Sequence, residues 1–165
     1  MYRLRVLQIG FAVVICDQIT KFLAVNYLEN QSSLKVLGSF LQLSFARNPG
    51  AAFSLATGST LILTVLAFAV AIGILVYANK VRNHFWALAL GGIFGGALGN
   101  AIDRLLRSPR GFRGEVVDFI QFPNYPLFNL ADSAITLSAG LIIWLSFKGI
   151  TPKDSHPKLS TQGDS

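Results

Sequence analysis

Four apolar runs, each about as long as a bilayer is thick, constrain this chain more than any other feature. A helix needs roughly 20 mostly apolar residues to cross the hydrocarbon core. The runs extend from about Val6 to Leu28, Leu61 to Ala78, Phe85 to Ile102 and Leu127 to Phe147. The first is interrupted by Asp17, Gln18 and Lys21, and the second carries no charge. The third is rich in glycine, and the fourth holds one charge, Asp132, in its first turns. Hydrophobic residues make up 52% of the 165, and charged residues only 13%. That is about half the charge of a soluble domain. A disordered chain, a disulfide scaffold and a nucleic-acid module all fit poorly. The fold class expected is a mainly α membrane protein, a four-transmembrane-helix bundle.

Arg3 and Arg5 ahead of Val6 to Ile15 resemble the start of a signal peptide. However, no small-residue cleavage site follows, and Asp17-Gln18-Ile19-Thr20-Lys21 arrives where one should be. We read the segment as a retained span. Four spans leave both termini on one side. Arg3, Arg5, Lys80, Arg82, Lys148, Lys153 and Lys158 then share a face richer in positive charge than the face holding Lys35, Arg47, Arg107, Arg110 and Arg113. The bias favours cytoplasmic termini. The net charge of +6 reads as orientation and contact with membrane lipids rather than nucleic-acid binding. The outer loops, residues 29–60 and 105–126, are long. Leu34 to Leu37 and Phe40 to Phe45, around Gly38, suggest a small strand pair in the first. One membrane domain over residues 1–148 and a flexible cytoplasmic tail over 149–165 complete the expected organisation.

Only eight residues are acidic, and their placement is informative. An Asp at mid-span costs roughly 2.5–3.5 kcal/mol, so acids within spans tend to face the bundle interior and pair with one another. Asp132 follows Asn129 at a spacing that puts both on one helical face. Asp118 lies in Val116-Val117-Asp118-Phe119-Ile120, a short strand or membrane-edge segment, close enough in sequence to fold back over the start of the fourth helix. Two readings stay open here. Either two carboxylates converge at the outer membrane edge, or Asp132 is a helix N-terminal charge and Asp118 a solvated loop residue. Asn100, Asp103 and Arg104 share a face at the end of the third span, as a site or as an Asp103–Arg104 structural pair with Arg104 reaching the headgroups. Asp17 and Lys21, four apart, read as a buried salt bridge. Asn48 opens a turn, Asn48-Pro49-Gly50, and is a candidate hydrogen-bond donor in a site.

The remaining residues narrow the chemistry. The single cysteine, Cys16, excludes an internal disulfide and a thiolate metal cluster. His84 and His156 fall in the inner turn and the tail, away from any nucleophile they could activate. Gly91 to Gly99 has no phosphate-binding Lys after it, and close helix packing accounts for it. No metal and no cofactor are expected. If the chain is an enzyme, aspartates are its available catalytic groups.

Five stretches, taken together and in order, resemble the lipoprotein signal peptidase family, also called signal peptidase II. They are Asp17-Gln18-Ile19-Thr20-Lys21, Asn48-Pro49-Gly50-Ala51-Ala52-Phe53-Ser54, Gly99-Asn100-Ala101-Ile102-Asp103-Arg104, Val116-Val117-Asp118-Phe119-Ile120 and Phe128-Asn129-Leu130-Ala131-Asp132-Ser133. The resemblance implies a bacterial inner-membrane aspartic endopeptidase that removes signal peptides from diacylglyceryl-modified prolipoproteins, just before the lipid-modified cysteine. It puts Asp118 and Asp132 on the catalytic pair, and Asp17, Asn48, Asn100, Arg104 and Asn129 on supporting or lining positions. It also implies an outer strand cradle and an interfacial helix between the first two spans, and a monomer acting at the extracytoplasmic face. Leu130 and the Arg-rich stretch from Leu106 to Arg113 depart from the family pattern without touching a catalytic position.

Two carboxylates about 4 Å apart repel by roughly 4 kcal/mol at an effective dielectric near 20. That separates their protonation steps by about three pH units, so such a pair shares one proton at neutral pH. The rival readings are a small transporter relaying protons through Asp17 and Asp132, and a non-catalytic lipid-binding scaffold.

Overall fold

A computed structural model describes residues 2–50, 59–109 and 111–154. The elements are α1 (Tyr2–Tyr27), β1 (Leu34–Leu37), β2 (Leu41–Asn48), α2 (Ser59–Tyr77), a 3-10 turn (Ala78–Lys80), α3 (His84–Leu106), β3 (Val116–Gln121) and α4 (Leu130–Phe147). Among the described residues, four helices are long and apolar enough to cross a bilayer, and three strands form one antiparallel sheet in the order β1-β2-β3. The strand pair read around Gly38 is β1 and β2, and the segment containing Asp118 joins it as the third strand.

The axis of the bundle is α3. About two-thirds of its span (67%) is buried inside the protein, against 22%, 22% and 17% for the other three, which leave their outer faces to lipid. Glycine makes this possible. Gly91 and Gly95 fall on the face of α3 toward α1, where an added Cβ at Gly95 would come within 2.5 Å of the Gly10 carbonyl oxygen. Gly92 and Gly96 face α4, where a Cβ at Gly96 would come within 2.5 Å of the Ala131 carbonyl oxygen. Apolar helices in lipid gain no hydrophobic drive from meeting, so backbone approach across small residues supplies the contact instead. Two apolar clusters complete the interior. Val6, Ala71, Ile74, Ala78, Val81, Ala87, Leu90 and Phe94 pack at the end near the α2–α3 turn. Ala24, Val117 and Phe119 pack under the sheet at the other.

Helix ends follow their capping residues. The Asn83 side chain accepts from the Phe85 and Trp86 amides to start α3. Asn129 starts α4, so that helix begins at Leu130 rather than at 127. Hydropathy counts Leu127 and Phe128 as span, but they follow Pro126 in extended backbone, and Phe128 exchanges hydrogen bonds with Ile120 of β3 at 2.8 and 3.1 Å. At its other end α3 runs on to Leu106, four residues past the expected limit.

The start of the expected flexible tail is tied down. The Pro152 carbonyl accepts from the Arg82 and Asn83 amides, at 2.7 and 3.2 Å. The Ile150 carbonyl accepts from the Trp86 indole at 2.9 Å. The folded part thus extends to residue 154, past the boundary expected at 148. Residues 155–165 lie outside the described residues, as do Ala51, Ala52, Phe53 and Ser54 of the second motif and the rest of the segment where an interfacial helix was expected.

Gly95→Ala is expected to destabilise the protein by about 1–3 kcal/mol, because the new methyl meets backbone that cannot swing aside. Gly73→Ala in α2, where nothing lies within 4 Å, is expected to be neutral or stabilising by about 0.5–1 kcal/mol. Thermal melting of both variants in detergent micelles checks the pair.

Candidate functional site

Elements that are distant in sequence meet at the sheet-bearing end of the bundle. Asp118 is the third residue of β3, paired in register with Ala46 of β2, and is only 2% exposed. Its Oδ2 accepts from Asn48 Nδ2 at 2.8 Å and its Oδ1 from Asn129 Nδ2 at 2.6 Å. Asn48 ends β2, and its own Oδ1 accepts from the Gly50 amide, which turns its NH2 group toward Asp118.

Asp132 occupies the first turn of α4. Its Oδ1 accepts from Asn100 Nδ2 at 2.7 Å and its Oδ2 from the Asn129 amide at 3.2 Å. Asn129 is the hinge of the arrangement. Its side-chain oxygen caps α4 by accepting from the Asp132 amide at 3.0 Å, while its NH2 group donates to both Asp118 and Asn100. The two residues are not neighbours on a helical face, as the i, i+3 spacing suggested. They form a reciprocal capping box, and Asn129 lies between the two carboxylates.

Asn48, Asn100, Arg104, Asp118 and Asp132 line one cavity of about 370 Å³, with Tyr125 and Phe128 among its apolar walls. Arg104 is half-buried, its charge faces Asp132, Asp118 and Asp103, and its Nε has no hydrogen-bond partner among the described residues. Of the readings left open for Asp103 and Arg104, the pair between them is absent from the ion pairs of the described residues. Asp103 is fully buried and pairs instead with Lys21 at 3.1 Å and Arg107 at 2.9 Å. Adjacent residues on a helix point about 100° apart, whereas a residue four further on faces the same way.

Asp17 does not line the cavity. Its Oδ2 pairs with Lys21 at 2.9 Å, the buried salt bridge expected from the sequence, and its Oδ1 accepts from the Ala131 amide at 2.9 Å. Sequence reasoning left Lys21 and Gln18 outside the site and kept two readings open for Asp103. The three residues form the layer beneath it, with Gln18 Nε2 donating to Asp17, Asp103 and the Gly99 carbonyl. The i, i+4 spacing of Asp17 and Lys21 was the available signal.

Burial pushes the Asp118 carboxyl up to about 6 from its ordinary 3.8, against the bond from Asn48, and the nearby charge of Asp132 pushes the same way. A buried carboxyl held partly protonated beside a second carboxyl is suited to moving protons near neutral pH. Beside Asp132, a second and more apolar groove of about 500 Å³ runs along α4 between Phe122, Tyr125, Phe128, Thr136 and Leu137. Among the described residues, no three His, Cys, Asp or Glu side chains come together to hold a metal ion.

The family model for signal peptidase (SPase) II matches residues 9–148. The lipoprotein signal peptidase of Rhodococcus jostii (strain RHA1) is 43% identical over 150 residues, covering 91% of this chain and 76% of that protein. That of Streptomyces griseus is 44% identical over 149 residues, covering 90% and 76%. A solved bacterial membrane enzyme superposes with a TM-score of 0.77 at 33% identity, covering 92% of each chain. Sequence and fold agree over nearly the whole length, and the chain belongs to the signal peptidase II family, a family of aspartic peptidases in bacterial membranes.

Proposed function

We propose that this protein removes signal peptides from diacylglyceryl-modified prolipoproteins, cutting just before the lipid-modified cysteine, with Asp118 and Asp132 as its catalytic pair. The observation that carries the reading is that these two carboxylates, from β3 and α4, line a single cavity with Asn129 donating to one and capped onto the other. The relatives' shared description as lipoprotein signal peptidases supplies the substrate class.

The pair shares one proton. Burial favours its residence on Asp118. Asp132 stands in the first turn of α4 with its oxygens held by Asn100 and the Asn129 amide, and it serves as the base. Asp132 removes a proton from a water whose oxygen attacks the scissile carbonyl carbon, while Asp118 gives its proton to the carbonyl oxygen. Collapse then breaks the C–N bond: one hydroxyl of the tetrahedral intermediate returns its proton to Asp118 as the new carbonyl forms, and the proton on Asp132 passes to the leaving amine. Arg104 faces the cavity where it can hold a substrate carbonyl, and Asn48, Asn100 and Asn129 hold the two carboxylates in place. Asp17 anchors the start of α4. The apolar groove beside Asp132 suits the lipid-bearing part of the substrate.

The sheet-bearing end is the extracytoplasmic one in this reading, with both termini in the cytoplasm and the enzyme a monomer among lipids. Arg3, Arg5, Lys80, Arg82, Lys148 and Lys153 at the opposite end support that orientation. The proton-relay alternative gains nothing from Asp17, whose carboxylate is closed off by Lys21 and the Ala131 amide.

Asp118→Asn and Asp132→Asn are each expected to lower cleavage of a diacylglyceryl-modified precursor peptide in micelles by on the order of 10³-fold or more, with the variants still inserted and folded. Normal processing by either variant removes the reading.

The raised Asp118 value also has a signed consequence for stability. The folded protein holds this proton more tightly than the unfolded chain, so stability falls as pH rises from about 4 to about 6. Asp118→Asn escapes that loss at the expense of one hydrogen bond. It is expected to be more stable than the parent by about 2 kcal/mol at pH 8, with the gap closing toward pH 4. Melting curves of both proteins across that range check it.

A further inference from the structure

We infer that Lys21, which the proposed chemistry does not use, is the positioning residue that sets how Asp118 and Asp132 lie relative to each other. The inference rests on the reading of those two as the catalytic pair. Lys21 is fully buried in α1, and its ammonium has three N–H donors and no acceptor. Three acceptors surround it: Asp17 Oδ2 at 2.9 Å, Asn100 Oδ1 at 2.9 Å and Asp103 Oδ2 at 3.1 Å.

Each of these acceptors continues to one member of the pair. Asp17 Oδ1 accepts from the amide of Ala131, the residue before Asp132. Asp103 Oδ2 accepts from the amide of Val117, the residue before Asp118, at 3.1 Å. Asn100 reaches Asp132 directly, with Nδ2 donating to its Oδ1. The Asn100 amide has two orientations, and Lys21 permits one of them. An ammonium can only donate, so the amide oxygen must face Lys21 and the NH2 group must face Asp132. Asn129 Nδ2 donates to the same oxygen at 3.2 Å, so losing the ammonium removes the closer of the two donors that hold this orientation.

A role limited to cancelling buried negative charge is satisfied by any cation of similar size. Positioning requires three donors aimed at three separate acceptors, which a planar guanidinium cannot reproduce. The test therefore compares Lys21→Arg with the parent in detergent micelles, measuring melting temperature, kcat and KM on a diacylglyceryl-modified precursor peptide. A double variant, Asp17→Asn with Lys21→Met, removes one carboxylate together with the cation and leaves Asp103 its pairing with Arg107. It gives the same readings if the arginine does not fit.

The expected result is a kcat lower by on the order of 10²-fold, the scale of a small misplacement of reacting groups. KM should stay within about twofold and the protein should remain folded. A kcat within about twofold of the parent, in either variant that melts cooperatively, overturns the inference. Asp118→Asn and Asp132→Asn are assayed alongside. Cleavage retained there dismisses the pair itself, whereas normal turnover by the Lys21 variants beside two inactive Asp variants dismisses the part given to Lys21 alone.

Discussion

An ammonium taken wholly out of water is the constraint on which the rest of this structure depends. Burial of an unpaired charge costs several kcal/mol, and removing one partner of a buried ion pair typically costs about 3–5 kcal/mol. Lys21 in α1 therefore needs its acceptors from α1 and α3 at close range, and those acceptors also hold the backbone amides that start α4 and β3. A single buried charge thus fixes the relative rotation of α1 and α3, the height of α4 and the approach of the sheet. Apolar contact alone would not, since lipid-like side chains slide past one another at little cost.

The close approach that this network needs comes from the glycines of α3. At Gly99 an added Cβ would come within 2.5 Å of Asp17 Oδ2, so even one methyl there would displace the ion cluster. The same helix surface that lets backbones touch at Gly95 and Gly96 lets charges touch one turn further on. Packing and electrostatics are two consequences of one absence of side chains, and both are delivered to the end of the bundle where the sheet sits.

Much of this was legible in the sequence, for identifiable reasons. Spans show as apolar runs because each must satisfy lipid along its whole length, and the acids stand out against them. The strand pair showed through its alternation around Gly38, and the buried Asp17–Lys21 pair through its spacing. Contacts that depend on how helices are rotated against each other did not show. Nothing local says that Lys21 reaches Asn100 and Asp103, or that Asp103 prefers Arg107 to its neighbour Arg104. The role of Asn129 was misread because hydropathy extends α4 through Leu127 and Phe128, whereas Pro126 and the capping geometry begin it at Leu130. The anchoring of residues 149–154 was hidden for a similar reason. Polar tail residues look free until a turn elsewhere offers them unpaired amides.

Asn129 spends one amide group on two tasks, capping a helix with its oxygen and gripping Asp118 with its nitrogen. The two tasks cannot be uncoupled by rotating the side chain, because a flip would present a donor to the Asp132 amide and an acceptor to the carboxylate. Fraying of the first turn of α4 and loss of the link to Asp118 are consequently one event. Protection of the Asp132 amide from solvent exchange then measures the integrity of the whole site, whether or not anything is bound in it.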